Sequence, residues 1–318
     1  MRIFNHQEKT SLNHSSIVTI GNFDGIHLGH HALIENVVEE ADSKGFNSAL
    51  VTFEPHPQEI INQGKPVSRI CTTSHQLNLF ENLGLDEIHV IHFTKKLSRM
   101  SPKEFALKFL INRFNLTKLI IGYDFHFGKQ RSGDFKLLEH LSKKYNFSVE
   151  RFPPIKEKGQ IVSSTLIRKL IKEFDFKKIP DFLGREFSVY GKVEYGEKRG
   201  KKLGFPTANI SPGTPLALEN GVYVCKIKLE DKIFYGISNI GKKPTFGENQ
   251  VNIETCIFDF DRDIYGKYLE VIPLCKLRPE KKFSSIEELK KQIDLDILTA
   301  QNYLKKKKKL EFNEDLQK

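Results

Sequence analysis

An alternation constrains this chain more than any other feature. Five apolar runs recur through its first half: "IVTI" (17–20), "ALVTF" (49–53), "IHVIHF" (88–93), "KLIIG" (118–122) and "FSVERF" (147–152). Stretches with helical spacing separate them. In "HHALIENVVEEADSKG" the apolar residues Leu33, Ile34, Val37, Val38 and Ala41 share one helical face, and Gly45 supplies a stop. "SPKEFALKFLINRF" opens with Ser101 as N-cap, Pro102 at the first helical position and Glu104 at the third, a capping box. Repeated strand–helix–strand units predict an α/β domain with a mostly parallel sheet covered on both faces. Ligands of such sheets bind at the carboxyl ends of the strands.

After about residue 180 the pattern changes. "FSVYGKVEYG", "GVYVCKIKLEDKIFYGISNIG", "VNIETCIFDF" and "KYLEVIPLCKL" are short, rich in β-branched and aromatic residues, and separated by turn residues. Glu230-Asp231 joins two such runs as a tight hairpin. This predicts an antiparallel barrel or sandwich. The end, "SIEELKKQIDLDILTAQNYLKKKKK", reads as a terminal helix capped by Ser284 or Ser285. The domain boundary is expected near Pro180–Arg185, giving domains 1–180 and 181–318. No internal repeat is visible.

The chain has 318 residues, 39% of them hydrophobic and 28% charged, as expected of a soluble globular protein of two domains. The start, "MRIFNHQEKT", has no apolar run of the kind a signal peptide needs. No stretch reaches the roughly 18 consecutive apolar residues of a membrane span. Cys71, Cys225, Cys256 and Cys275 form no C-x-x-C pair, which speaks against a disulfide framework or thiolate zinc site and for a cytoplasmic protein. The net charge of +10 would suit RNA, a membrane surface or phosphorylated small molecules. Part of that excess is the run Lys305 to Lys309, which reads as a solvated helix end, so the charge does not choose a partner.

The chemistry concentrates in "TIGNFDGIHLGH" (19–30), set between an apolar strand and a helix. Gly21, Gly25 and Gly29 allow a sharp turn and close approach to a ligand. The following helix aims its free N–H groups and positive dipole end at the same spot. His27 and His30 are three apart, so on a first helical turn they share a face, which suits a phosphate that gains charge in a transition state. There is no G-x-x-x-x-G-K-[ST] and no G-x-G-x-x-G, so neither a P-loop nor the dinucleotide fingerprint is present. A zinc site would need further ligands at fixed spacing.

"GNFDGIHLGHHALI" resembles the nucleotidyltransferase motif G-x-F-D-x-x-H-x-G-H. The resemblance implies a Rossmann-like domain in which Gly21, Asn22, Phe23, Asp24 and Gly29 bind nucleotide while His27 and His30 stabilise the α-phosphate. "VSSTLIRKL" (162–170) resembles a second motif, I-S-S-T-x-I-R, and adds Ser163, Ser164, Thr165 and Arg168 to the nucleotide site. Arg168 offers a bidentate fork for the β/γ-phosphates. "TFEPHPQEI" (52–60) and "IIGYDFHFGKQRSGD" (120–134) closely match the bacterial bifunctional riboflavin kinase/FAD synthetases, which implies flavin contacts from Pro55, Pro57 and Asp124.

"GKVEYGEKRGKKLGFPTANI" (191–210) is glycine-rich and basic. Gly196, Gly200 and Gly204 permit a loop around phosphates, and Lys201 and Lys202 supply charge. Thr207 and Asn209 lie two apart, so on a strand both face one way, and their oxygens suit Mg²⁺ with ATP. The stretch resembles the flavokinase motif G-x-x-x-G-R-x-L-G-F-P-T-A-N, with Lys201 in place of its arginine. "NIGKKPTFGENQVNIETCIFDFDRDIYGKYLEV" (239–271) resembles the same family and puts Glu254 at its catalytic base; Cys256 stands where that family usually has His. Arg278 matches a family arginine near the flavin end. The resemblance, from about residue 15 to 305, implies a nucleotidyltransferase-type domain followed by a flavokinase β-barrel with a C-terminal helix. It implies that ATP and Mg²⁺ convert riboflavin to FMN and then FMN to FAD, with no nucleic-acid or membrane partner. The rival readings are an enzyme retaining one of the two activities, and a basic RNA-binding or flavin-sensing protein on the same fold.

Overall fold

The computed structural model describes residues 1–5, 14–62, 67–196, 200, 204–242 and 251–315. The chain forms two compact units. One comprises Met1–Val67, Gln76–Ile167 and Asp181–Gly184; the other comprises Ser68–His75, Arg168–Pro180 and Arg185–Lys318.

The first unit is built on six strands: β1 (Arg2–Asn5), β2 (Ser15–Ile20), β3 (Asn47–Glu54), β4 (Glu87–His92), β5 (Asn115–Gly122) and β6 (Ser148–Phe152). They pair in the order β1-β4-β3-β2-β5-β6, and every pairing is parallel. The five apolar runs are β2 to β6. The continuous apolar character of the central strands β2 and β3 follows from burial on both faces, whereas β6, at the edge, carries Glu150 and Arg151. Val18 and Ile20 of β2, Ala49 and Val51 of β3, and Leu119 and Ile121 of β5 point to a layer with Phe105, Phe109, Leu138 and Leu141. Ile17, Leu50 and Ile120 point the other way, onto Leu33, Ile34, Val37 and Ala41 of the helix Leu28–Lys44. That helix ends where the glycine stop is expected: Gly45 is left-handed, φ 64°, and its N–H bonds back to the last turn.

The predicted capping box is present: Ser101 Oγ accepts from the Glu104 N–H and Glu104 accepts from the Ser101 N–H. The helix it opens, Pro102–Ala106, continues as a π-helical turn over Leu107–Ile111. Strand β1 has no counterpart in the sequence reading. It is four residues long, and side chains reinforce its parallel ladder with β4: Arg2 Nη2 meets Glu87 Oε1 at 2.6 Å, and Phe4 stacks on His89 at 4.8 Å. His89 is wholly buried, with its ring nitrogens on Glu87 Oε2 (3.0 Å) and the Arg113 Nε–H (3.1 Å).

A short antiparallel pair, β7 (Lys156–Glu157) and β8 (Gln160–Ile161), precedes the helix Ser164–Lys172. The second unit resolves the choice between barrel and sandwich in favour of a closed barrel. Its strands β9 (Val189–Glu194), β10 (Ala208–Ile210), β11 (Gly221–Leu229), β12 (Lys232–Lys242), β13 (Val251–Ile257) and β14 (Tyr268–Arg278) pair antiparallel in the order β10-β13-β12-β11-β14-β9. Closure leaves no exposed sheet edge. Leu229 pairs with Lys232, so Glu230-Asp231 is the two-residue turn expected, with Glu230 at φ 54°.

The terminal helix, Ile286–Asp315, packs Ile297, Ala300, Tyr303 and Leu304 on the barrel residues Val222, Val224, Ile237 and Cys256. Both candidate serines serve its start: Ser285 Oγ accepts from the Glu288 N–H, and Ser284 donates to the Glu288 carboxylate through N–H and hydroxyl. Among the described residues no helix is long and apolar enough to cross a membrane.

Candidate active sites

In the parallel sheet, the chain runs β2, β3, β4 outward to one side and then returns to place β5 on the other side of β2. That reversal makes the carboxyl ends of β2 and β5 the switch point where such sheets bind ligands. The loops singled out from sequence all leave carboxyl ends there: 21–27 after β2, 55–57 after β3 and 123–128 after β5.

The histidine pair differs in detail from the expected first helical turn. The helix begins at Leu28, and His27 is its N-cap: Nδ1 accepts from the His30 N–H at 3.2 Å. A neutral His27 ring therefore carries its proton on Nε2. The His27 and His30 rings stack, centroids 3.6 Å apart and 14° from parallel. Gly29 makes room for this, because a Cβ there would sit 3.3 Å from the His27 ring and 3.7 Å from the Val162 carbonyl. His31 turns away to Glu35.

The rest of the loop is anchored rather than open. Phe23 is buried, edge-on to His30 (5.2 Å) and Phe80 (6.0 Å), and a side chain at Gly21 would crowd its ring at 3.2 Å. Phe23 (φ 50°) and Ile26 (φ 42°) both lie in the left-handed region. For a bulky or β-branched residue that costs on the order of 1–3 kcal/mol each and persists only where surroundings enforce it. Asp24 is buried, and its carbonyl accepts from Ser164 Oγ at 3.0 Å, which joins the second motif to the histidine loop. Ser163 Oγ caps the helix by accepting from the Leu166 N–H (3.2 Å), while Thr165 is exposed. Farther along the same helix Arg168 Nε donates to the Ser68 carbonyl at 2.9 Å. His56 caps the short helix opened by Pro57, accepting from the Gln58 N–H, and Pro55 precedes it. Asp124 is exposed, with Oδ1 close enough that a Cβ on Gly122 would lie 3.7 Å from it.

In the barrel the key residues sit on the strands. Asn209 of β10 pairs directly with Glu254 of β13, so their side chains leave the same face. The Asn209 amide donates to the Thr207 carbonyl over a long 3.5 Å and accepts from Asn252 Nδ2 at 3.4 Å. Asn252 also donates to Glu254 Oε1 at 3.0 Å and so bridges the two expected site residues. The sequence reading passed over Asn252, although its position two residues before Glu254 on a strand puts it on that face. Gly196 and Gly200 are required by contact: a Cβ on the first would lie 2.3 Å from Asn209 Nδ2, and one on the second 2.4 Å from the Phe205 carbonyl and 3.2 Å from Thr207 Oγ1. Gly204 is left-handed, φ 91°. Lys201 and Lys202 lie outside the described residues.

Two expected positions have packing roles that sequence did not reveal. Cys256 belongs to the apolar cluster beneath the terminal helix, and burial pushes its thiol up. Arg278 grips Asp296 of that helix, Nε to Oδ1 and Oδ2 at 3.0 Å and Nη2 to Oδ2 at 2.7 Å, with Nη1 on the Pro279 carbonyl. Gln292 adds a bond to Asp296 Oδ1 at 2.9 Å.

A histidine-bearing helix N-terminus at the switch point of a parallel sheet, followed by a small barrel with a carboxylate facing an amide, defines a nucleotide-using transferase of two domains. Comparison with known proteins agrees. Residues 9–166 match the FAD synthetase family and residues 183–304 the riboflavin kinase family. The chain is 40% identical over 295 residues to a bifunctional riboflavin kinase/FMN adenylyltransferase of Buchnera aphidicola subsp. Acyrthosiphon pisum, covering 92% of this chain and 94% of that one. It is 32% identical over 288 residues to the Escherichia coli K12 protein of the same description, covering 90% and 92%. A Streptococcus pneumoniae crystal structure described as a macrolide-efflux protein superposes with TM-score 0.71 at 26% identity, over 92% of this chain and 97% of that one. The chain therefore belongs to the bifunctional riboflavin kinase/FAD synthetase family.

Proposed function

We propose a division of labour, parted at residues 180 and 181, for the two reactions that this membership brings. The barrel phosphorylates riboflavin to FMN. The parallel-sheet domain transfers an adenylyl group from ATP to FMN, giving FAD and pyrophosphate. The observation that carries this reading is the stacked His27–His30 pair at a helix N-terminus and switch point, a ready anion site.

In the adenylyl transfer, an FMN phosphate oxygen attacks the α-phosphorus and the bond to the bridging oxygen breaks. His27 and His30 donate to the α-phosphate oxygens as charge accumulates. The loop Gly21, Asn22, Asp24 and Gly29 surrounds the nucleotide, and Ser163, Ser164, Thr165 and Arg168 bring the second motif toward the polyphosphate. Pro55, Pro57 and Asp124 border the flavin from the neighbouring loops. Phe23 acts as the loop's buried anchor.

In the kinase reaction, Glu254 accepts the proton of the ribityl 5′-hydroxyl as that oxygen attacks the γ-phosphorus and ADP leaves. Asn252 holds the carboxylate in place through its 3.0 Å bond. Mg²⁺ arriving with ATP supplies neutralisation of polyphosphate charge. The Thr207 hydroxyl and Asn209 Oδ1 are hard oxygen donors suited to it. Among the described residues no group of three or more His, Cys, Asp or Glu could hold a metal ion. Gly200, Lys202 and Gly204 wrap the phosphates, and Arg278 borders the flavin end with its guanidinium oriented by Asp296. The proposed compartment is the cytoplasm, in keeping with Cys225, Cys256 and Cys275 as thiols.

The test is a time course with riboflavin, ATP and Mg²⁺, resolving flavins by chromatography. FMN followed by FAD is the expected order. FMN alone would confine activity to the barrel, and neither product from a folded, flavin-binding protein would favour the sensor reading.

A further inference from the structure

The histidine loop is strained at Phe23 and Ile26. Ser164 holds the Asp24 carbonyl, and a second distant side chain grips the residues on either side of the first strained position. Gln76 lies in the helix Thr73–Glu81 and is 8% exposed. Its Nε2 donates to the carbonyls of both Asn22 (2.8 Å) and Phe23 (3.1 Å). Those carbonyls belong to the two peptide planes that flank Phe23, the residue at φ 50°. In a trans peptide the N–H points opposite to the carbonyl. Fixing the two oxygens therefore also fixes the directions of the Phe23 and Asp24 N–H groups, which point away from Gln76. Thr52 Oγ1 adds a long bond, 3.5 Å, to the same Asn22 carbonyl, and the Phe23 carbonyl also accepts from the Ile26 N–H within the loop at 3.2 Å. Gln76 thus holds both planes whose rotation would release the left-handed conformation and let the loop carrying His27 relax.

We propose that Gln76 is a positioning residue for adenylyl transfer, its amide clamping the Asn22 and Phe23 carbonyls so that the strained loop presents His27 and His30 to the nucleotide. The proposal rests on the reading that those histidines act on the α-phosphate. Its chemistry is specific. A glutamate at this position has the same shape but sets an acceptor against two carbonyl oxygens. A leucine fills similar volume without donors, whereas a lysine keeps N–H donors on a longer stem.

The experiment measures kcat and KM for both reactions in Gln76→Leu, Gln76→Glu and Gln76→Lys. The kinase reaction in the same chain is the internal control. Gln76→Leu and Gln76→Glu should lower adenylyl-transfer kcat roughly 10- to 100-fold, the scale of a loop displaced by about 1 Å, with kinase kcat within about two-fold of wild type. Gln76→Lys should recover most of the loss. Unchanged adenylyl transfer in Gln76→Glu would overturn the proposal. So would parallel losses in both reactions. His27→Ala and His30→Ala, assayed alongside, separate the two failures: if they leave adenylyl transfer intact the histidine reading falls, whatever Gln76 does.

Discussion

The two candidate sites are built in opposite ways. In the parallel sheet the candidate residues sit beyond the strands, on the loops and helix starts that follow their carboxyl ends, and their geometry must be imposed by caps, glycines and the Gln76 clamp. In the barrel the candidate residues Asn209 and Glu254 sit on the strands, and ladder register alone sets them opposite each other. A loop site keeps freedom to approach a large ligand but stores backbone strain at Phe23 and Ile26. A strand site needs no such strain, yet it is as rigid as its register. Loss of a support should therefore damage the first site gradually, and loss of a reacting group should disable either one.

The largest effects should come from exchanging the sites' fates. His27→Ala with His30→Ala should lower FAD formation by about 10³-fold or more and spare FMN formation, since paired donors to a developing anion act in the transition state. Glu254→Gln should do the reverse, by roughly 10²- to 10⁴-fold. Steady-state assays of both reactions on each variant decide this; equal loss of both activities in either variant would dissolve the comparison.

A second effect concerns stability. Asp296 is 4% exposed and receives the Arg278 fork, so Asp296→Ala leaves a half-buried guanidinium without its carboxylate. The expected cost is about 2–3 kcal/mol, less than for a fully buried pair because Arg278 keeps some access to water. Urea denaturation followed by circular dichroism measures it. Arg278→Ala should cost at least as much, because the carboxylate left behind is the more buried of the two charges and keeps only its Gln292 partner.

A third effect is a pH slope. His75 is buried, and desolvation first, then the charge of Arg185, lowers its pKa from 6.5 to about 4. Glu270 opposes this shift, while Lys228 adds to it. Because the folded pKa lies below the unfolded one, the contribution is fully present above pH 6.5 and is lost as the pH falls toward 4. It amounts to about 3 kcal/mol across that window. Urea midpoints between pH 4 and 7 should fall more steeply for the wild type than for His75→Gln; parallel curves would remove His75 as the source.

The smallest effect should be none. Replacing Lys305, Lys306, Lys308 and Lys309, all exposed, by serine should leave both flavin reactions unchanged. A polyanion-binding assay at several salt concentrations completes the test. Tight binding whose salt slope disappears with these lysines would revive the RNA-binding reading.

Some of this was legible in the residues and some was not. The β2–β6 runs, the Ser101 capping box, the Gly45 stop and the Glu230-Asp231 turn were readable because each is a local property, set by periodicity or by one residue's φ. Strand β1 was not readable, because four residues carry no period and Arg2 and Phe4 find their partners more than eighty positions away. His27 was assigned to the first helical turn but serves as the cap, a shift of one position that periodicity does not resolve. Arg278 was read through its family position; its grip on Asp296 depends on how the terminal helix lies on the barrel.

By itself, then, the sequence determined the order and kind of the longer elements and the residue types placed at strand ends and along β10 and β13. Helix and strand periods, caps and turn conformations are local in origin. Only the tertiary structure decided which distant groups meet: Gln76 with Asn22, 54 residues apart, and Asn252 with Asn209, 43 apart. Those meetings follow from strand order, ladder register and helix docking. They are properties of the whole packed chain, and no short window of residues encodes them.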